Sequence, residues 1–156
     1  LGQRISPSAD RRAMVELAIG DDDRFGLDTV DLDRPGPSYT VETLRTLRAR
    51  WGASAWIGFI VGWDMLLNMP TWHEPASALA ELDELIAARR PGYGASDGEE
   101  QALANLERQL PGVRARLRIL PAPELDISST DLRERVAQGL PVRYLTTDAG
   151  CAESSA

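Results

Sequence analysis

The stretch AWIGFIVG, residues 55–62, constrains the fold more than any other part of this chain. It is almost wholly apolar and ends in glycine. It is too short to cross a bilayer and too continuous for a strand with one wet face. Such a run suits a strand covered on both faces, and strands of that kind belong to parallel sheets whose crossovers are helices. The segments around it agree. Helical and extended patterns alternate along the whole chain, and that order predicts an α/β fold, a parallel sheet with helices on both faces.

The individual segments follow from local chemistry. SPSADRRAMVELAIG reads as a helix capped by Ser6, with Pro7 at its first position, Met14, Leu17 and Ala18 on one face and Gly20 as the stop. RFGLDTVDLD, residues 24–33, reads as a strand with a bulge near Asp28. After the loop RPGPSY, TVETLRTLRARW reads as a helix burying Val41, Leu44, Leu47 and Trp51, with Gly52 ending it. Two short helical pieces separated by Pro70 follow the apolar run. Next come a strand at LIAAR, a loop at PGYGASDG, a helix at EEQALANLERQL and a strand at VRARLRIL. TDLRERVAQG is the last helix, closed by Gly139 and Pro141.

Composition narrows the function. A chain of 156 residues fits one domain with a real core. Its 17 basic residues against 24 acidic ones give a net charge of −7, which argues against a general nucleic-acid surface. All the basic residues are arginine, whose planar fork suits a small phosphate site. Cys151 is the single cysteine, so an internal disulfide and an all-cysteine metal site are excluded, and a reducing, cytoplasmic setting is the expectation. No signal segment or membrane span is visible, and no resident metal site is predicted.

In an open parallel sheet, ligands bind beyond the carboxyl ends of the strands, at the loops entering helices. Four such loops, PGPSYT, VGWDM, PTWHEP and DISSTDLR, hold polar or aromatic residues that a simple turn does not require. Gly62 would let backbone approach a ligand, and Asp64 would accept hydrogen bonds from ribose hydroxyls or, equally, cap the helix after it. Trp72 suits either ring stacking or the core. His73, the single histidine, lacks identifiable partners for acid–base work. Ser128 with Asp131, and Asp131 with Glu134, have capping-box spacing. A cap needs one hydroxyl, however, and Ser128, Ser129 and Thr130 stand in a row before Arg133, a cation in a first turn where the helix dipole disfavours one. That combination makes an anion pocket the stronger reading. Arg89 and Arg90 of RRPGY form a basic pair that a solvated turn explains equally well.

Taken in order, ISP, R.AMVELAI, GPSYTVETL, FIVG.D.L..MPTWHE, RPGY and DISSTDLRERV..G.P.RYL resemble the bacterial nicotinate-nucleotide adenylyltransferases, nucleotidyltransferases of Rossmann-like fold. The match covers residues 5–148, leaving 149–156 as a small polar tail. The resemblance implies AMP transfer from ATP to nicotinate mononucleotide, giving deamido-NAD and pyrophosphate, with Mg2+ on the triphosphate. It assigns Tyr39, Thr40, Trp72 and His73 to nicotinate mononucleotide, Gly62 and Asp64 to the nucleoside part of ATP, and Ser129, Thr130 and Arg133 to its phosphates. The family opens with a strand and a turn of the form G-G-T-F-D-P-x-H-x-G-H, which this sequence lacks. No catalytic residue is therefore assigned. Residues 1–148 are expected to be an N-terminally incomplete nucleotidyltransferase domain, with its first strand and phosphate loop missing and one side of its central strands unpaired. Trp63, Glu74-Pro75 and Thr147 also depart from the family pattern. Alternatives are a non-catalytic nucleotide-binding fragment, an enzyme like phosphopantetheine adenylyltransferase, or an α/β domain whose loops bind nothing. Oligomeric state is left open, a homo-oligomer included.

Overall fold

The computed structural model describes residues 7–88, 97–120, 127, 129–142 and 145. The chain divides into two compact units, Leu1–Leu32 with Ile127–Ala156, and Asp33–Asp126. The expected Ser6 cap, Ser128, RPGY at 90–93, the turn after LRIL and the polar tail lie outside the described residues.

In the first unit, α1 spans Ser8–Ile19. Pro7 adopts extended dihedrals (φ −49°, ψ 150°) and stands just before the helix, one position earlier than predicted. Met14 and Leu17 are each 40 % exposed, and no residue of α1 is buried. The predicted strand at 24–33 does not form. The Asp22 carboxylate accepts the Arg24 backbone N–H at 3.1 Å, and that of Asp28 accepts the Val30 N–H at 2.9 Å. Short acidic side chains thereby occupy backbone donors that a ladder would need. The second contact opens a single helical turn, α2 (Val30–Asp33). The last helix, α8, spans Ser129–Ala137. It ends with Gly139 at φ 68°, whose N–H reaches Val136 O at 3.0 Å while that of Leu140 reaches Arg135 O at 2.8 Å. This is a Schellman closure, with glycine where a left-handed residue is required.

The second unit holds the sheet. Its elements are α3 (Thr40–Trp51), β1 (Gly58–Gly62), α4 (Trp63–Asn68), a 3-10 turn at Met69–Thr71, α5 (Pro75–Ala80), β2 (Glu84–Ala88), α6 (Asp97–Gln109), α7 (Val113–Arg116) and β3 (Leu117–Leu120). The strands lie in the order β1-β2-β3, all parallel, as the alternating pattern predicts. Register pairs Phe59 with Leu85 and Val61 with Ala87, and these continue to Leu117 and Ile119. That face packs against the core, where Leu66, Met69 and Leu85 are fully buried.

The details differ from the sequence reading in three places. AWIGFIVG supplies an edge strand among the described residues: β1 pairs only with β2, and Ile60 on the face opposite the core is 67 % exposed. Among the described residues β3 is the other edge, since it too pairs only with β2. Trp51, predicted to be buried, is 52 % exposed. Helix α3 spans about 18 Å and its partner α5 about 9 Å, so the stripe that starts with buried Val41 and Leu44 outruns its cover. The first half of VRARLRIL is helical. Glu107 accepts backbone N–H groups from Gly112 at 2.8 Å and Arg114 at 3.0 Å, capping a turn that delays the strand to Leu117.

An ionic clamp orders the strand starts. Arg48 lies seven residues after Val41 on the same stripe of α3 and donates to Glu81 O at 2.6 Å, to Asp83 Oδ2 at 2.9 Å and to Ala55 O. Asp83 Oδ2 also accepts the Ile57 N–H at 2.8 Å. The Ile57 N–H and the Arg48 guanidinium hold the Asp83 carboxyl below its usual range. These bonds connect α3, the approach to β1 and the approach to β2, and so fix the strand whose far end carries Gly62.

Candidate functional site

Candidate residues stand on two loops of the second unit and, separately, at one helix start of the first. Gly62 closes β1 and immediately precedes α4, with ordinary extended dihedrals of φ −71° and ψ 157°. A Cβ placed there would meet nothing within 4 Å. Neither backbone geometry nor protein packing therefore requires glycine at this position, and the space above its Cα is open. Asp64 lies in the first turn of α4, exposed, where its charge also suits the positive end of the helix. Trp63, between them, points the other way and is buried at 7 % exposure.

The second loop follows the 3-10 turn. Trp72 is half-buried against the core and meets Phe59 of β1 edge-on, ring centroids 6.1 Å apart at 86°. His73 leaves the core and lies against Tyr39, centroids 4.2 Å apart and planes tilted by 31°. Tyr39 directly precedes α3, and its carbonyl accepts the N–H groups of Glu42 and Thr43. Thr40 is the first residue of that helix and half-buried. Tyr39 and His73 thus form one partly exposed aromatic pair from segments more than thirty residues apart in the chain.

Glu74 completes this loop. Its backbone is left-handed (φ 47°, ψ 58°), and its carboxylate accepts from Arg45 Nη2 at 2.8 Å and stands 3.5 Å from His73 Nε2. Hydrogen bonds from Arg45 and then Ser77 hold the Glu74 carboxyl below its ordinary value. The sequence reading missed both the Arg45–Glu74 pair and the Arg48–Asp83 clamp. Only the second left a signal, an arginine in the apolar stripe of α3.

Ser129, Thr130 and Arg133 lie in the first two turns of α8, in the other unit. Thr130 and Arg133 are exposed. Asp131 stands in the first turn with Ser129 and Thr130, and Arg133 begins the second. The structure brings together Tyr39 and His73, places Trp72 on Phe59, and sets Gly62 and Asp64 at one strand end. Among the described residues, no group of three or more His, Cys, Asp and Glu side chains is arranged to hold a metal ion. No described helix is long and apolar enough to cross a membrane.

A model of the cytidylyltransferase-like family matches residues 2–135. The chain belongs to that family. Cytidylyltransferase-like chains with similar sequences include the probable nicotinate-nucleotide adenylyltransferase of Thermomicrobium roseum, 40 % identical over 144 residues that make up 92 % of this chain and 64 % of the relative. Those of Roseiflexus sp. (strain RS-1) and Symbiobacterium thermophilum are 40 % and 41 % identical, over 96 % and 94 % of this chain and 70 % and 68 % of their own lengths. The chain therefore spans about two thirds of the length of these curated relatives. The parallel α/β sheet with flanking helices agrees with membership of a Rossmann-like cytidylyltransferase family.

Proposed function

We propose that this chain carries the nucleotide-binding fold of an adenylyltransferase that moves AMP from ATP to nicotinate mononucleotide, giving deamido-NAD and pyrophosphate. The observation that carries the reading is the identity of about 40 % to nicotinate-nucleotide adenylyltransferases across nearly the whole chain. The geometry supports it locally. A partly exposed Tyr39–His73 pair offers faces and edges for a pyridine ring, and Thr40 beside it offers a hydroxyl for the carboxylate. Trp72 backs this loop. Gly62 leaves room for a nucleoside to rest on backbone, with Asp64 as acceptor for its hydroxyls.

The start of α8 is the proposed phosphate site. Its first N–H groups, the hydroxyls of Ser129 and Thr130 and the guanidinium of Arg133 have the chemistry to bind phosphate oxygens. In such a reaction the mononucleotide phosphate attacks the α-phosphorus of ATP in line, and pyrophosphate leaves. The protein contributes by alignment and by neutralising charge on the leaving group. Magnesium is proposed as the counter-ion of the triphosphate, held by phosphate oxygens, and no residue of this chain is assigned to it. The partners are small nucleotides and the setting is cytoplasmic.

The test is release of pyrophosphate from ATP on addition of nicotinate mononucleotide and Mg2+. Release only with this acceptor, and not with phosphopantetheine, is the expected result. A folded, full-length protein that binds both nucleotides and releases none would show a non-catalytic binder instead.

A further inference from the structure

We infer that Glu74 is a positioning residue for the acceptor subsite: paired with Arg45, it fixes the turn that sets His73 against Tyr39. The inference rests on the reading of Tyr39 and His73 as the mononucleotide-binding pair and adds a residue to it.

Among the described residues, Glu74 is the single non-glycine residue at positive φ. Crowding between Cβ and the backbone disfavours that conformation for any residue with a side chain. Pro75 follows, and a residue before proline is pushed towards extended dihedrals. A turn needing only this backbone shape would be served best by glycine. The side chain must supply what holds the shape, and its contacts show how. Oε2 accepts from Arg45 Nη2 at 2.8 Å, a Ser77 hydrogen bond anchors the carboxylate to α5, and Oε1 lies 3.5 Å from His73 Nε2. The Glu74 carbonyl accepts the Ala78 N–H at 2.9 Å, so the main chain is bound to the same helix. Strained residues persist where surrounding contacts over-determine them, and they concentrate at binding sites.

Arg45 makes the arrangement more than a local turn. It belongs to α3, the helix that starts directly after Tyr39, whereas Glu74 directly follows His73. The ion pair therefore ties the segment presenting one ring to the segment presenting the other. Arg45 is also 4.0 Å from Glu81, which keeps its guanidinium on the α5 side. Removing the Glu74 carboxylate should free the His73 ring from Tyr39 without touching Gly62 or α8.

The experiment uses the whole chain and the variants Glu74→Gly, Arg45→Ala and the charge-exchanged double variant Glu74→Arg with Arg45→Glu. The chain has one histidine, so the imidazole proton signals of His73 can be read by NMR without ambiguity. Expected in both single variants are movement of these signals towards those of an unstacked imidazole and an unchanged affinity for ATP by calorimetry. Affinity for nicotinate mononucleotide should fall by about three- to tenfold, the range that loss of one aromatic contact gives. The Glu74→Gly melting midpoint should hold or rise, because glycine relieves the left-handed strain. The double variant should recover the wild-type His73 signals. Unmoved His73 signals in Glu74→Gly would overturn the inference, as would parallel losses of ATP affinity and melting midpoint, which indicate general structural damage. The NMR arm needs no nucleotide. A wild-type chain that binds no mononucleotide, although Glu74→Gly moves the signals, would sink the proposed function and leave the positioning role standing.

Discussion

Gly62→Ala separates what the fold needs from what a ligand needs. The residue has φ −71° and ψ 157°, which alanine adopts without strain, and its new methyl would meet nothing within 4 Å. A substitution of this kind acts mainly on the unfolded chain, whose conformational freedom it reduces, and stabilises by about 0.4–1 kcal/mol. For a cooperative unit of about 90 residues the unfolding entropy is ~0.2 kcal/mol/K, so the melting midpoint should rise by about 2–5 °C. If a nucleoside rests on the Gly62 backbone, the same methyl intrudes on the ligand. Overpacking of one methyl costs about 1–3 kcal/mol, a loss of about 5- to 150-fold in ATP affinity. Differential scanning calorimetry and titration calorimetry on one preparation measure both effects. Gly58→Ala at the other end of β1 is the control. Its Cβ would meet the Trp56 ring at 2.5 Å and 2.7 Å, so it should change tryptophan fluorescence and leave ATP binding alone. A more stable Gly62→Ala chain with wild-type ATP affinity refutes the placement of the nucleoside. A destabilised one refutes the argument that the space is open.

Three other outcomes follow from the same geometry. Arg133→Ala should weaken ATP binding by about tenfold or more, the loss expected for one charge-assisted phosphate contact, while nicotinate mononucleotide affinity stays within error; equal ATP affinity in a calorimetric titration would remove α8 from the phosphate site. Leu85→Ala, at a fully buried position of the central strand, should cost about 2–5 kcal/mol in urea unfolding at constant m. The Asp83 carboxyl is depressed from its ordinary 3.8 by Ile57 and Arg48, so its stabilisation is full above that value and is lost as pH falls through the lower folded value. Urea midpoints measured from pH 6 down to pH 2.5 should show that loss in the wild type and a shallower one in Asp83→Asn.

The sequence exposes periodic features and hides pairwise ones. The parallel sheet was legible because AWIGFIVG and LIAAR are apolar runs framed by helical patterns, and β1 and β2 formed there. Alternation alone misled at 24–33, where Asp22 and Asp28 bind backbone donors locally and leave Phe25 61 % exposed. Trp51 failed for another reason: helical periodicity gives a direction around α3 but not the length of α5 that covers it. The loop residues of the site were visible as an excess of polar and aromatic groups over what turns require. The Tyr39–His73 contact itself was not, since no pattern along the chain specifies which distant segments meet.

That difference identifies where further constraint in this molecule lies. The Tyr39–His73 ring pair and the start of the strand that ends at Gly62 are each tied to α3 by an ion pair, Arg45 with Glu74 and Arg48 with Asp83. The two arginines are three positions apart on one helix, so they rise along nearly the same face. One fixes the loop that carries His73, and the other fixes the approaches to β1 and β2. A shift of α3 would therefore disturb the aromatic subsite and the start of the Gly62 strand together. Core substitutions under α3, such as Val41→Ala, reach the site through that route although Val41 is fully buried and distant in chemistry from any ligand. The helix is thus a mechanical part of the site as well as a wall of the core.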